Sequence, residues 1–242
     1  MAEARFFIRP ITAGDVELTG QEAHHLAAVR RLGPGDRITL FDGEGGLASA
    51  TIARVSSTSV HLHIESVKKS QKRSVGHIVL AAAMAKGERF DWLVSRCTEL
   101  GVDRLCPVFF ERTVKRPRSA NLVRRYERLA IEAAKQCGRL YLPRIDPAGE
   151  LPELIDSLKS DYPEAVWLMG SLETEATSLV ALDWSGRDVV VFVGPEGGFS
   201  PDELSLLKDQ QVRQVKLTET TLRVETAAVA FCSILSTQRD AG

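Results

Sequence analysis

The sequence predicts a small β domain over residues 1–70 followed by an α/β domain over residues 75–242. Three observations carry this. Apolar residues recur with period two before residue 70, apolar runs alternate with helix-spaced ones after residue 75, and a basic, aperiodic segment separates the two patterns.

In the first domain Ser59-Val60-His61-Leu62-His63-Ile64-Glu65 alternates polar and apolar residues without a fault, as a half-buried strand does. Arg37 to Phe41 and Thr51 to Val55 read as two more strands, with Asp42-Gly43 and Gly45-Gly46 supplying turn chemistry between them. One short helix, around Gln21 to Leu32, interrupts the strands. Lys68-Lys69-Ser70-Gln71-Lys72-Arg73-Ser74 has four basic residues, no acid and no periodicity, and reads as the linker.

The second domain opens on a continuous apolar run, His77 to Ala85, expected of a strand covered on both faces. Phe90, Leu93, Val94, Cys97 and Leu100 then fall at helical spacing, and Gly101 stops that helix. Leu105 to Phe110 is strand-like. Leu122, Tyr126, Leu129, Ala133 and Cys137 mark a long amphipathic helix ended by Gly138. Ala165 to Met169, Asp188 to Val193 and Val215 to Leu217 are further strand candidates. This alternation implies a mostly parallel sheet with helices on both faces.

Composition narrows the function classes. With 242 residues, 44% hydrophobic and 26% charged, the chain has the make-up of an ordinary globular protein. A net charge of −1 gives no global basic field, so any nucleic-acid signal must be local. Cys97, Cys106, Cys137 and Cys232 form no C-x-x-C pair, which excludes zinc spacing; no metal is expected, and the thiols read as small buried hydrophobes of a reducing compartment. Met1-Ala2-Glu3-Ala4-Arg5 has no apolar signal core and no run of 18 apolar residues occurs, so a cytoplasmic protein not inserted in a membrane is expected.

The chemistry concentrates near the end. Val189 to Val193 runs straight into Gly194-Pro195-Glu196-Gly197-Gly198-Phe199, after which Ser200 is a good N-cap, Pro201 suits the first helical position, and Glu203 completes a capping box. Three glycines therefore sit between the carboxyl end of a buried strand and a helix, where open α/β sheets bind ligands. A bare turn needs fewer. The segment is not a P-loop and lacks G-x-G-x-x-G spacing, and the Glu196 carboxylate would repel a pyrophosphate. A neutral or cationic ligand, such as an adenosine carrying a sulfonium, suits it better.

A second polar turn, Leu217 to Leu222, leads into a last helix whose residues 227 to 235 are small or apolar on every face, so that helix must be buried internally or against a second subunit. Arg223 and Glu225 flank its start. Glu225 has an ordinary place in a first helical turn, whereas a cation at a helix N-terminus is mildly unfavourable and points to another use for Arg223.

Gly194-Pro195-Glu196-Gly197-Gly198-Phe199-Ser200 together with Leu222-Arg223-Val224-Glu225-Thr226-Ala227 resembles the ribosomal small subunit methyltransferase E family. The resemblance extends through His24-His25-Leu26, Val29 to Asp36, Leu40 to Gly43, Lys86-Gly87-Glu88-Arg89, Cys97 to Gly101 and Arg128 to Gln136. It implies a SPOUT-type parallel sheet with a C-terminal trefoil knot, preceded by a small PUA-like β-barrel domain that binds RNA. It also implies a homodimer packed through the knot and methylation of N3 of a uridine in 16S rRNA, with S-adenosylmethionine bent in a pocket made by three loops. Those loops map to Leu168-Met169-Gly170, to Gly194, Pro195, Glu196, Gly197 and Gly198, and to Leu217, Thr218, Thr220 and Leu222. Thr218 departs from the glycine usual there.

Methyl transfer to N3 needs alignment of the reactants and help in losing the N3 proton. Arg223 is the candidate for orienting or stabilising the uracil, and Glu225 for taking the proton. Thr113 to Tyr126 contains Lys115, Arg116, Arg118, Arg124 and Arg125 and no acid. With Arg5, Arg30 and Arg31, the residues Lys115, Arg116 and Arg118 are the candidate contacts to RNA, as part of 16S rRNA or of the small ribosomal subunit. Two other readings stay open. One is a Rossmann-type nucleotide enzyme, in which Glu219 would bind a ribose about 20 residues after the glycine loop. The other is a non-catalytic RNA-binding protein using the β domain alone.

Overall fold

A computed structural model of the chain describes residues 3–85, 87–113, 116, 120–184 and 186–241. The chain forms two compact units, residues 1–72 with 134–142, and residues 73–133 with 143–242.

The first unit contains β1 (Arg5–Phe7), β2 (Gly14–Thr19), α1 (Gly20–His24), a π-helical turn (His25–Val29), β3 (Arg37–Phe41), β4 (Gly46–Val55) and β5 (Ser59–Lys69). They build one sheet of order β1-β3-β4-β5-β2, antiparallel except for the parallel pair β1 and β3. The period-two pattern does what it predicts: Val60, Leu62 and Ile64 point into a core with Ile38, Leu40, Ile52 and Leu26. Several boundaries differ from the sequence reading. β5 runs on to Lys69, so Lys68 and Lys69 are strand residues paired with Leu47 and Gly46. β4 starts at Gly46, and the helix expected to reach Leu32 ends at Val29. The first cause is local. Asp42 Oδ1 accepts the N–H groups of Glu44 and Gly46 at 2.7 and 2.8 Å, which closes the turn within residues 42–46 and frees the next residues to pair. Gly43 and Gly45 have φ of 73° and 90° there.

Residues 134–142 join this unit through two main-chain bonds and an ion pair. Gly45 N–H donates to Leu140 O at 3.1 Å, Leu142 N–H donates to Gly43 O at 3.0 Å, and the Lys135 ammonium donates to Glu22 at 2.8 Å.

The second unit contains β6 (Ile78–Ala83), α2 (Glu88–Glu99), β7 (Arg104–Phe109), α3 (Ala120–Cys137, its end belonging to the first unit), β8 (Arg144–Ile145), β9 (Gly149–Glu150), α4 (Leu151–Asp161), β10 (Val166–Gly170), β11 (Thr177–Ser178), β12 (Val189–Val193), α5 (Pro201–Asp209), β13 (Arg213–Lys216) and α6 (Val224–Ala241). The eight strands among its described residues are all parallel, in order β11-β13-β10-β12-β6-β7-β8, with β9 beside β7. Every residue of β6, β7 and β12 is buried, as strands sandwiched between helices must be. Phe90, Leu93, Val94 and Cys97 of α2 face inward, and α6 packs on α2, β6 and β12. None of the described helices is long and apolar enough to cross a membrane.

Candidate functional site

Strands β10, β12 and β13 lie side by side and parallel, so their carboxyl ends release three successive loops at one edge of the sheet. These loops enclose a pocket of about 350 Å³. Gly170, Ser171 and Leu172 form one wall, Val193 to Phe199 a second, and Leu217, Thr218, Thr220, Thr221 and Leu222 a third, with Val215, Ala227 and Phe231 closing it from below. A volume of this size suits a small organic ligand.

The glycine loop is rigid by construction. Gly198 N–H donates to Pro195 O at 2.8 Å across a turn, with Gly198 at φ 71°. The capping box forms: Glu203 N–H donates to Ser200 Oγ at 3.4 Å, and Ser200 N–H donates to Glu203 Oε2 at 2.8 Å. Glu203 has a second task, because its other carboxylate oxygen accepts Glu111 N–H at 2.6 Å. Phe199 packs edge-on against Phe110 with ring centroids 5.2 Å apart. The turn after β7 thus buttresses the loop after β12.

The third loop settles the question raised by Thr218. The described non-glycine residues with positive φ are Arg31 and Gln211, so the backbone at Thr218 does not need a glycine. Its hydroxyl donates to Thr220 O at 2.9 Å and accepts Thr220 N–H at 3.4 Å, which holds the turn closed. Ser171 N–H donates to Val215 O at 2.9 Å and joins the first loop to the third strand.

Glu225 is buried on the first turn of α6, and Arg223 is exposed just before it. Arg89 of α2 stands between two carboxylates, with Nη1 3.5 Å from Glu196 Oε1 and Nε 3.9 Å from Glu225 Oε1. Glu225 Oε2 is buried and has no hydrogen-bond partner among the described residues. An acceptor left open in this way, beside the glycine loop, suits a ligand or reactant that brings a donor. The Arg223 side chain has no partner among the described residues and points its charge at solvent.

Of the residues expected at the site, Gly170, Gly194 to Gly198, Leu217, Thr218, Thr220 and Leu222 come together around the pocket. Leu168 and Met169 do not line it; they are buried within β10, where their side chains belong to the core. Arg223 and Glu225 flank the pocket through Leu222 and Arg89 without lining it. Among the RNA candidates, Arg30 and Arg31 are exposed, with Arg31 held at φ 54°. Arg5 lies 5.0 Å from the Phe41 ring, and burial pulls its guanidinium below its ordinary pKa against the opposing effect of Cys137. Arg116 is engaged by the Glu150 carboxylate at 3.2 Å and by Phe110 O at 3.0 Å. Lys115 and Arg118 fall outside the described residues. Glu219, which the Rossmann reading assigns to a ribose, is exposed and paired with Lys216 at 2.8 Å.

Sequence reasoning missed Arg89, Arg112 and Phe199. Arg89 sits in the quoted Lys86-Gly87-Glu88-Arg89 segment, but nothing in its spacing announces two carboxylates more than a hundred residues away.

Comparison with known proteins follows the two units. Residues 71–236 match the RNA methyltransferase domain family, and residues 18–65 match the RNA methyltransferase PUA domain. The ribosomal RNA small subunit methyltransferase E of Synechocystis sp. is 31% identical over 228 residues, spanning 93% of this chain and 74% of that one. The protein so described from Bacillus subtilis is 27% identical over 251 residues, spanning 98% and 97%. A solved ribosomal RNA small subunit methyltransferase E from Neisseria gonorrhoeae, bound to S-adenosyl methionine, aligns with a TM-score of 0.87 at 28% identity over 98% of each chain.

Proposed function

Because the chain belongs to the ribosomal RNA small subunit methyltransferase E family, we propose that the three-loop pocket holds S-adenosylmethionine and that the reaction at its mouth places a methyl group on N3 of a uridine. The chain is an S-adenosylmethionine-dependent methyltransferase of 16S ribosomal RNA. The observation that carries the site assignment is the wall built from Gly194 to Gly198. It lines the pocket with main-chain groups, and its one charged side chain, Glu196, is paired with Arg89 at 3.5 Å, so the wall offers no unpaired positive charge to a phosphate and suits a neutral or cationic ligand.

When bound, S-adenosylmethionine supplies a methyl group already activated on a sulfonium. The chain supplies alignment, which is worth about 7–11 kcal/mol at best. It also supplies a proton acceptor. Glu225 presents a buried carboxylate oxygen with no partner among the described residues, and we assign it the role of accepting the N3 proton that the uracil loses when N3 is methylated. Arg223, exposed at the end of the third loop, is free to hold a uracil oxygen and to offset the charge developing on the ring.

The first unit, the PUA-like domain, and Arg5, Arg30, Arg31, Lys115, Arg116 and Arg118 are assigned to the RNA, in the cytoplasm where ribosomal subunits are built. Half-buried Ala227, Val229, Ala230 and Ile234 on α6 support a homodimer packed through this helix, and the knotted C-terminal topology of the SPOUT class goes with that reading.

The test is to incubate the protein with 16S rRNA or small subunits and labelled S-adenosylmethionine, then map the product by primer extension. N3 methylation removes a Watson–Crick donor, so reverse transcriptase should stop at one uridine. A label carried elsewhere on the base, with no such stop, would overturn the N3 assignment.

A further inference from the structure

The turn that follows β7 contributes no wall to the pocket, yet one of its side chains reaches the loop that does. The Arg112 guanidinium donates through Nη1 to the carbonyl of Gly197 at 2.5 Å. The next peptide nitrogen, Gly198 N, donates to Pro195 O at 2.8 Å. The Gly197–Gly198 peptide is therefore pinned at both ends, its oxygen by Arg112 and its N–H by the turn.

We infer that Arg112 is a positioning residue for the cofactor loop, fixing the orientation of the Gly197–Gly198 peptide without touching the cofactor. The inference rests on the reading that this pocket binds S-adenosylmethionine. Two adjacent glycines carry no side chain to restrict them and lose more conformational freedom on ordering than any other pair. A peptide between them can turn over at little steric cost, which would exchange an N–H for a carbonyl on the pocket wall. A charge-assisted bond to the carbonyl opposes that rotation.

Arg112 is itself well placed for this. Glu111 N–H is held by Glu203, and Phe110 is held against Phe199 and by the Thr113 hydroxyl, so the turn on which Arg112 stands is tied to the segment that follows the glycine loop. The side chain also lies along the loop, since a Cβ on Gly197 would be 3.3 Å from Arg112 Cδ. Arg112 has no ion pair among the described residues, so its hydrogen bond to Gly197 does not compete with a carboxylate.

The experiment is isothermal titration calorimetry of the full chain with S-adenosylhomocysteine, for wild type, Arg112→Ala and Arg112→Lys. Arg112→Ala should raise Kd by roughly 10- to 100-fold, the range expected for losing a hydrogen bond to a charged group. Arg112→Lys should recover part of that loss. In turnover assays KM for S-adenosylmethionine should rise more than kcat falls. Hydrogen exchange supplies a readout independent of ligand: amides 196–199 should exchange faster in Arg112→Ala, while Tm stays near wild type because the side chain is exposed. An Arg112→Ala protein with wild-type Kd and wild-type exchange would overturn the inference, including the case in which it loses RNA binding alone. Failure of the wild-type protein to bind S-adenosylhomocysteine would instead sink the reading of the pocket.

Discussion

The ring of Phe199 lies against the main chain of Gly194, so that a Cβ on Gly194 would come within 3.0 Å of Cε1 and Cζ of that ring. The ring cannot withdraw freely, because its other contact is the edge-on packing with buried Phe110. Gly194→Ala should therefore cost about 1–3 kcal/mol in overpacking and should weaken S-adenosylhomocysteine binding. Urea unfolding and calorimetry on the same sample read both effects; wild-type affinity in the variant would show that the loop tolerates the displaced ring.

Glu225 and Arg223 should fail in different ways. Glu225→Gln keeps the shape of a buried side chain beside Arg89 but removes the proton acceptor. It should lower kcat by about 100-fold or more with S-adenosylhomocysteine binding unchanged. Arg223→Ala should reduce kcat and kcat/KM for RNA together, the mark of an interaction made in the transition state. Single-turnover kinetics with saturating cofactor separate the two.

Asp42 provides a pH-dependent test in the first unit. Burial alone would raise its carboxyl pKa, but the Glu44 and Gly46 N–H groups and the Lys69 ammonium outweigh it and leave the group below its ordinary value of 3.8. Its contribution to stability is then complete at neutral pH, persists down to the unfolded pKa, and is lost as pH falls through the lower folded value. Asp42→Ala should cost about 1–3 kcal/mol at neutral pH by leaving buried donors unpaired. The gap to wild type should narrow in acid below the unfolded pKa, as followed by urea titration at several pH values.

Arg104 tests the core of the second unit. Its guanidinium is 1% exposed and bridges Asp146 at 2.7 Å and Asp161 at 2.6 Å. Burial pulls its pKa down, but Asp146 and Asp161 more than compensate, so the charge stays on. Arg104→Ala would leave buried Asp146 paired only with the more exposed Arg144, 2.9 Å from its other oxygen, and should cost about 1–3 kcal/mol. Denaturant unfolding should show the loss in the transition of the second unit.

Local rules made much of this protein legible. The fault-free alternation at Ser59 to Glu65, the buried run at Val189 to Val193 and the Ser200–Glu203 capping box each state their structure within a few residues, and each appears as read. What escaped depends on partners far along the chain. β1, with three residues, is a strand because Arg5 to Phe7 pair with Thr39 to Phe41. Residues 134–142 join the first unit through bonds to Gly43, Gly45 and Glu22, and no periodicity encodes that return. The pocket walls were legible as loops, because glycine and strand-end patterns are local. The residues that brace them, Arg89 and Arg112, act across 85 or more residues of chain.

The centre of the pocket's second wall is the stretch Gly194 to Gly198, of whose five residues three have no side chain, and the Glu196 carboxylate there is drawn toward Arg89. A competitive inhibitor that reads only amides and carbonyls there would be hard to escape by point mutation. Exchanging a side chain leaves the peptide groups in place, and adding one at Gly194 collides with Phe199. Resistance would have to arise indirectly, through residues such as Arg112 that set the backbone, and those changes would weaken the natural ligand as well.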